Sequence, residues 1–92
     1  MHTDALARIC VVEQPSASAI VVAWREPGRF CYTAQRWKRA VAKASGVCSL
    51  SHSPVCVGDI IFTPLTRDFP LNVGAVILAS EVPRDLEPED FQ

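Results

Sequence analysis

The segment RICVVEQPSASAIVVAWR, residues 8–25, constrains the fold of this chain more than any other stretch. Two β-branched runs flank Pro15, Ser16, Ala17 and Ser18, a turn cluster of hairpin length. A β-branched side chain loses rotamer freedom on a helix and packs well on a pleated surface, so the pair predicts an N-terminal β-hairpin. Both runs are apolar at consecutive positions rather than alternating, which predicts strands covered on both faces or paired centrally. Glu26, Pro27 and Gly28 then break the second strand, because Pro has no N–H for the ladder and Gly frees the next turn.

Residues 33–46 carry two competing patterns. On a helix, Trp37, Ala40, Val41 and Ala44 would form one stripe with Arg36, Arg39 and Lys43 opposite, Thr33 as N-cap and Gly46 beyond the end. The segment that follows argues for a strand. AKASGVCSLSHSPVCVGDII, residues 42–61, has the layout of half a zinc-binding hairpin: a lead-in, a tight turn around Cys48, a Gly58-Asp59 turn and a returning strand. In that layout the lead-in pairs with the return, so residues 34–45 are expected to be extended. IIFTPL is the returning strand, ended by Pro64, and TRDFPLN is a loop. NVGAVILASEV is a last strand by its Val and Ile content or a short helix capped by Asn72.

The expected architecture is a small, mainly β single domain of β-hairpins with a metal-free, zinc-ribbon-like knuckle and room for one short C-terminal helix. The domain is expected over residues 1–83, followed by an acidic, mobile tail over residues 84–92. At 92 residues such a chain buries only about 60–65% of the surface its unfolded form exposes, and the 49% hydrophobic content supplies the core it needs.

The knuckle raises the question of metal. Cys48 stands at the first position of a Cys-x-x-Cys turn, but Ser51 stands at the second. A serine hydroxyl is too weak an acid to give zinc the anionic ligand that a thiolate gives. Cys48, His52 and Cys56 recur at four-residue intervals, yet residues 57–92 contain neither Cys nor His, so a fourth ligand would have to come from Cys31, Cys10 or His2. The expectation is no metal and no cofactor, with the knuckle held by packing and by Ser51 hydrogen bonds; a degenerate or atypical zinc-binding protein is the alternative. Without an export signal, the four cysteines are expected as free thiols in the cytoplasm, three of them behaving as small core residues by their apolar neighbours. A Cys48–His52 nucleophile would lack a recognisable third group to orient the imidazole, so no catalytic residue is assigned and the chain is expected not to be an enzyme. Asp59 is expected to close its turn with its own side chain.

Charge points elsewhere. The net charge is −1, which excludes a strongly basic binder by bulk charge. The distribution is uneven, because residues 25–43 hold six of the nine basic side chains against Glu26 alone. Aromatics interleave with them, so Arg36, Trp37, Lys38, Arg39 and Lys43 are the candidate binding residues, with phosphate contacts setting affinity and Trp37 either stacking a base or serving as core. The function expected is a non-enzymatic binding or regulatory module, with nucleic acid the most testable partner and a protein-interaction or structural role the alternative. The aliphatic runs are far shorter than a membrane span, and exposed strand edges leave pairing into a homo-oligomer open.

Trp24-Arg25, Tyr32 with Gln35 and Trp37, then Lys43, Ser45-Gly46-Val47-Cys48-Ser49-Leu50-Ser51, Pro54, Gly58-Asp59 and Pro64 resemble a family of small proteobacterial proteins built on a domain of unknown function. The resemblance runs from about Val21 to Leu78. It implies a Gly at the position of His52 and an aliphatic residue at that of Cys56, and it brings no activity or ligand with it.

Overall fold

The computed structural model describes residues 7–66 and 70–86. Among the described residues, seven strands form two antiparallel sheets: β1 (Arg8–Ser16), β2 (Ala19–Glu26), β3 (Phe30–Val41), β4 (Gly46–Val47), β5 (Pro54–Val55), β6 (Ile60–Pro64) and β7 (Ile77–Leu78). The main sheet has the order β1-β2-β3-β6-β7, and β4 pairs with β5 in a separate two-stranded ribbon. Single 3₁₀ turns follow at Ala79–Glu81 and Arg84–Leu86. The sheet is curled, because the Arg84–Leu86 turn comes after β7 at one edge and packs on β1 at the other. The mainly β class and the N-terminal hairpin are as expected, with Ala17 and Ser18 in the turn.

Residues 34–41 are strand, not helix. β3 is held on both sides, by β2 and by β6, and these non-local ladders override the helical stripe of its sequence. The last segment takes something from both alternatives: a two-residue strand and then a 3₁₀ turn, with Asn72 pairing across to Gln35 rather than capping. The expected mobile tail lies mostly outside the described residues, and its first residues, Arg84–Leu86, form the turn against β1.

Strand position explains burial. β2 is central, with Ile20, Val22 and Trp24 buried on one face and Val21 on the other, as its unbroken apolar run predicts. β1 departs from that expectation because it is an edge strand. Val11 is buried but Val12 is 45% exposed. Two register irregularities, between Val11 and Glu13 and between Glu13 and Ser16, disturb this edge and blunt it as a pairing template.

β3 carries a third irregularity, with larger consequences. Val22 pairs with Gln35 and Trp24 with Tyr32, so three steps of β3 are set against two of β2. The surplus residue keeps Tyr32, Gln35 and Trp37 on one face, although their 3-then-2 spacing would split them in a strictly alternating strand. That inner face stacks Trp24 on Trp37, with ring centroids 6.0 Å apart and 24° between planes. Around them pack Ile20, Val22, Phe62, Ile77 and, from the knuckle, Cys48 and Val55.

Candidate functional site

The register fixes which cations meet. On the sheet face opposite the tryptophans, Arg8 pairs with Arg25, Val21 with Arg36 and Ala19 with Lys38. All four basic side chains are exposed. From Ala19 to Arg25 they span roughly 20 Å of β2 at about 3.3 Å per residue. Glu13, opposite Val21, is the acid that the register of β1–β3 puts on this face among the described residues. The ion pair found among the described residues, Arg29 with Glu26 at 2.7 Å, involves none of the four. At one end of the face an open groove of about 340 Å³ is lined by Arg8, Cys10, Ala23, Arg25, Cys31 and Thr33.

Of the residues expected to bind, the structure thus brings together Arg36 and Lys38. Arg39 falls on the opposite face of β3, across from Phe62, and Lys43 lies beyond the strand end; both are exposed. Trp37 is 1% exposed and serves as core, so its ring is not offered to a base in this fold. Arg8 and Arg25 were not among the candidates. The signal for them was their position at the two ends of the 8–25 hairpin, which any hairpin draws together, although the face they point to depends on register.

The knuckle is built around one sulfur. β4 and β5 pair Gly46 with Val55 and Val47 with Pro54, and the turn closes through Cys48 N–H to Ser53 O at 2.8 Å and His52 N–H to Cys48 O at 2.8 Å. Cys48 is fully buried, and its Sγ accepts the Leu78 N–H at 3.3 Å. Burial alone would raise its pKa, but hydrogen bonds from the Ser51 side chain and from the Leu78, Ser51 and Leu50 backbone together outweigh it, and the thiol is held below its ordinary value. Ser51 also accepts the Ser53 N–H at 3.3 Å, in line with its expected role. Among the described residues no three His, Cys, Asp or Glu side chains gather as a metal site. His2 lies outside them. Cys10, Cys31 and Cys56 are exposed, so Cys48 alone is a core thiol where three were expected, because the others sit on outward positions of strands and turns.

A cavity of about 190 Å³ beside the knuckle is lined by Cys48 and His52 and, unexpectedly, by Glu26 from the end of β2. Glu26 supplies the third group that the sequence did not show, but its carboxylate is committed: Trp24 Nε1–H donates to Oε2 at 2.8 Å and Arg29 to Oε1 at 2.7 Å. No hydrogen bond joins it to His52 among the described residues.

The model of the family described as a domain of unknown function, DUF3331, matches residues 2–84. The chain belongs to the DUF3331 family. No curated protein and no solved structure matches it. In this DUF3331 domain the residues that carried the resemblance hold the fold together. Tyr32 Oη accepts the Leu71 N–H at 3.1 Å, Gln35 and Asn72 exchange two hydrogen bonds of 2.9 Å, and Trp37 Nε1–H donates to Gln35 Oε1 at 2.9 Å. Asp59 Oδ2 accepts the Cys56 N–H at 2.8 Å and so closes its turn, with Gly58 at φ +98°. No helix among the described residues is long and apolar enough to cross a membrane.

Proposed function

We propose that this DUF3331 domain is a non-enzymatic binding module whose outer sheet face takes the phosphate backbone of nucleic acid. The observation that carries this reading is the convergence of Arg8, Arg25, Arg36 and Lys38, all exposed, on one face of β1–β3. Cations of this kind set affinity and orientation rather than sequence preference. Base stacking has no part in it, because Trp24 and Trp37 are buried and Tyr32 faces inward to the 70–76 loop. The non-enzymatic part is supported by Glu26, whose carboxylate is taken up by Trp24 and Arg29 and so is not engaged in orienting His52 beside Cys48.

Labelled single-stranded and duplex oligonucleotides, titrated at several salt concentrations, test this reading. Release of counterions from about four phosphates on a single strand gives a log–log slope near −3, roughly a 50-fold loss of affinity between about 50 and 200 mM salt. Replacing Arg36 by Gln should lower the slope by about 0.7. Absence of binding at low salt would sink the nucleic-acid reading. The protein-partner alternative rests on the apolar pair Val41 and Ile60, 54% and 37% exposed on adjacent strands. Association through that pair would change little with salt.

A further inference from the structure

The groove at the end of the basic face contains two exposed thiols as well as two arginines. Arg25 stands on the middle strand, directly opposite Arg8 on one side and Cys31 on the other. Cys10, opposite Ala23, lies two residues along β1 from Arg8 and so shares its face, diagonal to Arg25. Each sulfur therefore has an arginine as cross-strand or diagonal neighbour, and all four side chains line the same open groove of about 340 Å³. The remaining two cysteines are placed differently. Cys48 is buried with its sulfur accepting the Leu78 N–H, whereas Cys10 is exposed although its Sγ–H reaches Val11 O at 3.7 Å; Cys56 is exposed in a turn where Asp59 Oδ2 lies 2.8 Å from its backbone nitrogen.

We propose that this groove is a thiol-modification site for small anionic disulfides, with Cys10 and Cys31 as the attacking sulfurs and Arg8 and Arg25 drawing in the carboxylates of the reagent. The chemistry is thiol–disulfide exchange. The deprotonated cysteine sulfur attacks one sulfur of the small disulfide, the S–S bond breaks, and the other half leaves as a thiolate that takes a proton from water. The protein sulfur is oxidised to the disulfide level and one equivalent of small thiol is released. Cys10 and Cys31 do not join each other: they flank β2 and are offset by two residues, which sets their Cα atoms about 12 Å apart, well past disulfide reach. The product is thus two separate mixed disulfides. Each adduct leaves carboxylates beside Arg8 and Arg25, so oxidation would neutralise one end of the basic face. The proposal shares those two arginines with the phosphate-binding reading but does not require nucleic acid to be the partner.

The test uses the full, reduced chain without nucleic acid. It is treated in parallel with glutathione disulfide, which is anionic, and cystamine, which is cationic, and adduct formation at each cysteine is followed by peptide mass mapping. The ratio of the two rates at Cys56 normalises for the intrinsic reactivity of the reagents. Expected at low salt is a preference for the anionic disulfide at Cys10 and Cys31 about tenfold above that at Cys56, of the order that electrostatic steering gives. This preference should collapse at about 0.5 M salt, where charges are screened within a few ångströms. It should also vanish in the double variant Arg8→Gln and Arg25→Gln and persist in Arg8→Lys with Arg25→Lys, which keeps the charge and checks for misfolding. A rate ratio at Cys10 and Cys31 equal to that at Cys56, or one unchanged in the Gln variant, overturns the proposal. Oligonucleotide titration of the same preparations is read separately, so failure of one idea leaves the other standing.

Discussion

Cys48 ties together parts of the chain that are thirty residues apart, because its sulfur takes the N–H of Leu78 while the turn around it donates from Leu50 and Ser51. Replacing it by Ala removes the acceptor and opens a small void, so Cys48→Ala should cost about 2 kcal/mol in urea unfolding under reducing conditions. The pH dependence has a definite sign. The folded-state pKa is depressed, so the stabilisation grows as pH rises through the folded value toward the ordinary 9.0 and is lost as pH falls. The stability gap between wild type and Cys48→Ala should therefore widen between pH 7 and 9; a gap that stays flat would show that the sulfur is never ionised there. His52 presents the opposite case of a residue at odds with its backbone. Its φ is +65°, and a non-glycine residue in that region costs about 1 kcal/mol. His52→Gly, the residue implied there by the family resemblance, is expected to raise stability by about 0.5–1 kcal/mol, measured by the same unfolding experiment.

At the scale of elements, β3 organises the inner face by pinning the 70–76 loop. Both tryptophans satisfy their indole N–H from a residue two positions along their own strand, Trp24 from Glu26 and Trp37 from Gln35, since a strand returns to the same face at every second residue. Gln35 passes this on to Asn72, which is 7% exposed. Gln35→Leu would leave Asn72 and the Trp37 N–H without these partners, a loss of about 3 kcal/mol. Faster amide exchange should follow at residues 71–76, the stretch that Tyr32 and Gln35 hold; unchanged exchange would mean that the loop is fixed by packing alone. This network also shows where a sequence is readable. The 8–25 hairpin could be read because β-branched runs and a turn cluster are local signals. β3 could be read either way, because Trp37, Ala40, Val41 and Ala44 fit a helix until β2 and β6 are present on both sides. The Gly58-Asp59 turn and its closure by the Asp59 side chain were legible, since Asp after Gly most often serves that end, but the Cys56 N–H as its partner was not. Arg36 and Lys38 were legible as charges, but their company with Arg8 and Arg25 was not, because it follows from a cross-strand register that no local pattern encodes.

Taken whole, the curled sheet sets Arg8, Arg25, Arg36 and Lys38 on one side and the two stacked tryptophans on the other, and for Arg36, Lys38 and Trp37 the sorting depends on the surplus residue in β3. Tyr32 is inward. Strict alternation from there would send Ala34, Arg36 and Lys38 inward and Gln35 and Trp37 outward. Deleting Ala34 would place Tyr32 and Gln35 two positions apart, the spacing at which a regular strand keeps them on one face. The variant is therefore expected to keep Trp37 inward and to retain a cooperative thermal transition by circular dichroism, and loss of that transition would rule out this account of the irregularity. The surplus residue acts as a reading frame for the half-strand that follows it. Shift the frame by one and the same letters spell a protein with its cations in the core and its tryptophan in water.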